Sequence, residues 1–119
     1  MMVAKNIRMQ RVADRIRDEV CQILAREIKD PRMGFITITR VDVSRDLRHA
    51  RVRYSLLGTP EEQKQTKEAL KSARSFIKRL VGERLAMRFV PDIEFIFDRS
   101  VEHGIKIEQI LREIKEEDN

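Results

Sequence analysis

Between residues 7 and 29 the apolar positions recur three and four apart. Val12, Ile16, Val20, Ile23 and Leu24 form one stripe, so this segment reads as an amphipathic helix. Asp30-Pro31 ends it, because the residue before a proline is pushed out of the helical region, and Gly34 then allows a turn. From Phe35 to Ser44 the pattern changes to alternation among β-branched residues, which marks a strand. Its phase slips midway: Ile36 and Ile38 share one parity, Val41 and Val43 the other. A bulge near Thr39-Arg40 is needed to keep both pairs on one face. After a turn at "SRDL", "ARVRYSLL" alternates again, with Ala50, Val52, Tyr54 and Leu56 inward and Arg51, Arg53 and Ser55 outward. The two strands pair as a hairpin.

A second long helical pattern follows. Thr59 suits its N-cap, Pro60 its first turn, and Glu61 and Glu62 its positive end. The pattern runs to about Arg88, with Leu70, Ala73, Ile77, Leu80 and Val81 on the side that faces a sheet. Pro91 precedes a third strand in which Ile93, Phe95 and Phe97 alternate with Asp92 and Glu94. Ser100 can start a short last helix with Ile107, Ile110, Leu111 and Ile114 on one side, and "KEEDN" reads as a frayed end. The expected order is α-β-β-α-α-β with a helical tail, an α+β fold.

Charge changes this picture more than composition does. A chain of 119 residues, 41% hydrophobic, fits one domain with a single core. Its net charge of +5 is divided unevenly: residues 1–91 sum to +10 and residues 92–119 to −5. A basic body with an acidic tail points to a polyanionic partner. The single cysteine, Cys21, forms no internal bridge and reads as a small packing residue near the edge of the first helix's apolar face, consistent with a reducing compartment. No apolar run approaches membrane-spanning length and the start is too polar for a signal peptide, so a cytoplasmic location with no membrane partner is expected.

Enzyme signatures are missing. The four glycines are too dispersed for a phosphate-binding loop, and His49 and His103 have no metal-ligand spacing around them. Asp92, Glu94 and Asp98 share one face of the third strand. They supply the only enzyme alternative, a metal-dependent RNA-processing activity. Otherwise no catalytic residue, metal or cofactor is expected. The positive signal is basic. Lys67, Lys71, Arg74 and Lys78 recur at four, three and four, which puts them within about 60° of one another on a helix. They form a cationic ridge beside the apolar stripe, suited to phosphates. Arg45 and Arg48 at the hairpin turn, with Arg51 and Arg53, make a second basic group, and Arg8, Arg11 and Arg15 a third. Phe35, Phe76, Phe89, Phe95 and Phe97 read mostly as core, so recognition is expected to rest on phosphates and RNA shape rather than on base stacking.

Four blocks carry a family resemblance: "RVADRIRDEVCQIL" (11–24), "DPRMGFITITRVDVSRDLRHARV" (30–52), "LKSARSFIKRLVGERLAMRFVPDIEFIFDRS" (70–100) and "GIKIEQIL" (104–111). In this order they resemble the ribosome-binding factor A family. The resemblance implies a type II KH-like domain over residues 1–100, with a three-stranded sheet, helices on one face and a kink between two helices, followed by an acidic helical extension over 101–119. It implies a non-catalytic assembly factor, monomeric when free. Such a factor binds the immature small ribosomal subunit and its ribosomal RNA, assists late RNA maturation and supports cold adaptation. It also implies that RNA contacts cluster at the kink, Ala73, Arg74 and Ser75, and at Lys71, Lys78 and Arg79; Arg45 and Arg48 are added on charge. Ser75 stands where the family has glycine, which makes a sharp kink less expected and a milder bend possible. The alternative is a protein-interaction module acting through the acidic tail.

Overall fold

The computed structural model describes residues 2–99, with side chains from residue 7 onward. Five elements follow one another: α1 (Met2–Arg26), β1 (Ile36–Val43), β2 (His49–Leu56), α2 (Pro60–Arg84) and β3 (Asp92–Phe97). The last helix expected from Ser100, with the acidic extension 101–119, lies outside the described residues.

The sheet has the order β1-β2-β3, with β1 and β2 antiparallel and β2 and β3 parallel. A parallel pair needs a crossover, and α2 supplies it. The expected bulge is present: Ile38 pairs with Tyr54 and Arg40 with Arg53, leaving Thr39 as the extra residue. That insertion turns both Ile36/Ile38 and Val41/Val43 toward the helices. Ala50, Val52, Tyr54 and Leu56 of β2 are buried, as their alternation predicts. Both helices pack on this one face, α1 against β1 and α2 against β3, and they touch each other. Ile16, Val20 and Ile23 of α1 meet Leu70, Ile77 and Val81 of α2, with Val52 and Ile93 beneath them, in one apolar core.

The ends of α2 are set by local chemistry. At its start, the Thr59 hydroxyl accepts the Glu62 N–H at 3.2 Å while the Glu62 carboxylate accepts the Thr59 N–H at 3.3 Å. Such a cap is worth about 1 kcal/mol. At its finish, Met87 N–H donates to the Gly82 carbonyl at 3.0 Å and Ala86 N–H to the Glu83 carbonyl at 3.2 Å, with Ala86 at φ 49°. This left-handed closing turn stops the helix at Arg84 rather than near Arg88. Gly82 is required there, because a Cβ would lie 2.3 Å from Cγ2 of Val90, which packs against it.

Several expectations are corrected. The first helix ends at Arg26, not residue 29, and β1 starts at Ile36. No break divides α2 at Ala73–Ser75: a single helix runs through all three residues, since serine, unlike glycine, fits a helix interior at modest cost. Cys21 is exposed, and desolvation by its surroundings raises its thiol pKa, so it is neither a core residue nor an activated nucleophile. Phe76, Phe95 and Phe97 pack against the core, but Phe35 and Phe89 are 81% and 78% exposed.

Candidate nucleic-acid interface

One flank of α2 runs beside β3, so the cationic ridge lies against the edge of the sheet. The ridge covers roughly 16 Å from Lys67 to Lys78. At one end the Lys67 ammonium sits 4.0 Å from the ring centroid of Phe97. At the other, the Lys78 ammonium hydrogen-bonds the Asp92 carboxylate at the start of β3. This contact, with the charge of Arg74 nearby, holds the Asp92 carboxyl below the usual carboxylate range. Between these ends Lys71 and Arg74 are exposed and form no ion pair among the described residues.

Asp92 also joins the ridge to the hairpin. Its N–H donates to the Arg48 carbonyl at 2.8 Å, and it stands opposite His49 in the parallel register. The turn itself is held by Ser44 and Asp46. The Ser44 hydroxyl donates to Asp46 at 2.7 Å and accepts the His49 N–H at 3.0 Å, and Asp46 accepts the Arg48 N–H at 3.1 Å. Those bonds keep the Asp46 carboxyl below its ordinary range and leave Arg45 and Arg48 exposed. Asp92 thus links Lys78 of the ridge to the Arg48 backbone at the hairpin turn, two basic groups distant in sequence.

The remaining candidates divide. Ser75 is exposed beside the ridge, whereas Ala73 packs against the core. Arg79 lies about 140° around the helix from Arg74, with its guanidinium 5.4 Å from the Phe76 ring and 4.0 Å from Glu83. It is not part of the ridge. On the open face of the sheet, Asp42 engages both Arg40 at 2.8 Å and Arg53 at 3.5 Å. Arg8, Arg11 and Arg15 are exposed on α1, which packs on β1 and α2 rather than beside β3.

The three carboxylates proposed for metal chemistry do not converge. Asp92 is held by Lys78, while Asp98 accepts the Thr39 hydroxyl at 3.0 Å. The two stand at opposite ends of β3, about 20 Å apart along the strand. Among the described residues no group of three His, Cys, Asp or Glu side chains is placed to share a metal ion. No helix among the described residues is long and apolar enough to cross a membrane.

Sequence reasoning missed Arg88 and Phe89. They lie in the loop that follows α2, with the Arg88 guanidinium 5.7 Å from the Phe89 ring centroid. A signal was present: continued along the helix, Phe89 falls about 120° from Ile77, outside the apolar stripe.

The family model for ribosome-binding factor A matches residues 8–111. The chain belongs to the ribosome-binding factor A family. The ribosome-binding factor A of Halothermothrix orenii is 44% identical over 96% of this chain and 93% of its own. That of Thermomicrobium roseum is 46% identical over 92% and 85%. Among solved structures, a ribosome-binding factor A from Thermotoga maritima superposes with a TM-score of 0.67 at 34% identity, covering 78% of this chain and 89% of its own. Coordinates of Thermus thermophilus ribosome-binding factor A, a homology model fitted into a cryo-electron-microscopy map of a complex with the 30S subunit, share 28% identity. Their TM-score is 0.51, over 68% of this chain and 92% of that one.

Proposed function

We propose that this protein is an assembly factor that binds the immature small ribosomal subunit through its ribosomal RNA and assists late RNA maturation, including in the cold, without catalysis. Membership of the ribosome-binding factor A family supports the partner, and the Thermus thermophilus relative placed on the 30S subunit supports the mode of action. The observation that carries the site is the union of the α2 ridge with the hairpin turn through Asp92. Lys71, Arg74, Lys78, Arg45 and Arg48 then face one stretch of RNA backbone, releasing counterions as they neutralise phosphates.

In this reading residues 1–100 form a type II KH-like RNA-binding domain and 101–119 an acidic extension, and the free protein is a cytoplasmic monomer. The α2 segment at Ala73–Ser75 occupies the place of the nucleotide clamp of other KH domains, with Arg74 as its RNA contact. A mild bend of α2 at Ser75 belongs to the same proposal. Co-sedimentation with immature small subunits tests the site. The triple variant Lys71→Ala, Arg74→Ala, Lys78→Ala is expected to stay in the supernatant at salt concentrations where the wild type pellets. Equal sedimentation would remove the ridge as the contact surface.

A further inference from the structure

We propose that Phe89, braced by Arg88, is a stacking platform for one unpaired RNA base at the hairpin end of the basic surface. The inference rests on the RNA-binding reading above and adds to it a base contact.

Phe89 is 78% exposed, an unfavourable place for a large apolar ring unless something covers it in the working complex. Its surroundings indicate what. Arg88 holds a guanidinium 5.7 Å from the ring centroid, so the exposed ring comes with a cation suited to the adjoining phosphate. The neighbouring chain is anchored on both sides. Val90 packs on Gly82, Pro91 is buried, and Met87 N–H is bonded to the Gly82 carbonyl. The ring is thus presented on a braced loop, which reduces the ordering cost of a contact. Three residues further on, at most about 10 Å along the chain, Asp92 joins Lys78 and the Arg48 backbone. A strand following Arg48 and Lys78 passes within reach of the ring.

Phe35, 81% exposed, has a different setting. It lies at the other end of the hairpin, where its carbonyl accepts the N–H of exposed Leu57 at 3.4 Å, and among the described residues no cation stands over its ring. Among the described residues only Phe89 combines an exposed ring with a charge suited to phosphate.

The chain contains no tryptophan, so Phe89→Trp creates a single fluorescent reporter at the site. Titration with a short single-stranded oligoadenylate is expected to quench it, and a duplex RNA of equal length is expected not to. In parallel, Phe89→Leu should weaken oligoadenylate binding about 5- to 150-fold at fixed salt, with the salt slope unchanged because no phosphate contact is lost. Wild-type affinity in Phe89→Leu, or equal quenching by the duplex, would overturn the stacking proposal. It would leave the RNA-binding reading intact if Lys71→Ala, Arg74→Ala still lowers the slope. A wild type that binds neither RNA would overturn both. Quenching by small-subunit proteins and not by RNA would overturn stacking in favour of a protein contact.

Discussion

Arg84 and Arg74 lie on the same helix and live in different surroundings. Arg84 reaches across to α1 and the residue just after it, where one nitrogen donates to Glu27 at 3.0 Å and another lies 3.6 Å from Glu19. Arg32 is similarly clasped, by Asp30 at 2.6 Å, and its guanidinium also donates to the Ser72 hydroxyl at 3.4 Å. Arg74, with Lys71, faces the β3 side without an ion pair among the described residues. The side of α2 toward α1 uses arginine to tie elements together, and the side toward β3 leaves cations available. A count of basic residues cannot separate these roles, because pairing depends on which carboxylates the fold brings near.

That division predicts opposite outcomes for similar substitutions. Arg84→Ala leaves the half-buried Glu19 and the exposed Glu27 without their cation and should lower stability by about 1 kcal/mol in urea unfolding, with no change in the salt slope of RNA binding. A fall in that slope would break the separation. Lys71→Ala with Arg74→Ala should do the reverse. The slope should fall by about 0.7 per lost single-strand phosphate contact, and each substitution should change stability by no more than about 0.5 kcal/mol.

Asp92 sits between the two behaviours, since it occupies Lys78 on the side that otherwise leaves cations free. Asp92→Asn should release Lys78 and steepen the salt slope by up to about 0.7; an unchanged or shallower slope would show that Lys78 does not reach RNA. The pH dependence has a definite sign. Because Lys78 lowers the Asp92 pKa in the folded protein, the pair's stabilisation is complete above the unfolded-state value. It is lost as pH falls through the lower native value. The Asp92 carboxyl resonance, followed by NMR, should therefore titrate below the usual aspartate range in wild type and return toward it in Lys78→Ala.

The smallest effect is expected at Ser75. In an unbroken helix, Ser75→Ala should stabilise the protein by about 0.3–0.5 kcal/mol and leave oligoadenylate binding unchanged. Weaker binding with higher stability would show that the serine serves the site rather than the helix.

Much of the fold was legible because it follows from short-range regularities. The α1 stripe, the Thr59–Glu62 cap and the parity slip at Thr39 each state a local geometric need that the structure meets. Legibility stopped where chain ends and partners are chosen by packing. The close of α2 depends on Val90 meeting Gly82 and on Ala86 accepting a left-handed conformation without glycine to announce it. The kink expected at Ala73–Ser75 rested on family likeness rather than on any helix-breaking residue, and α2 runs through it. Phe35 and Phe89 were read as core from their hydrophobicity alone, and both are exposed. Only a phase comparison with the α2 stripe set Phe89 apart.

By itself the sequence determined the α+β class, the inward face of each element and the presence of a cationic ridge, because periodicity maps directly onto helix and strand geometry. Only the tertiary structure decided which cations remain free and which basic groups adjoin. Arg48 and Lys78 become neighbours when β3 enters the sheet parallel to β2, and that pairing places Asp92 between them. Electrostatic interactions act through space over a few ångströms, so their partners are set by long-range strand order and not by spacing along the chain.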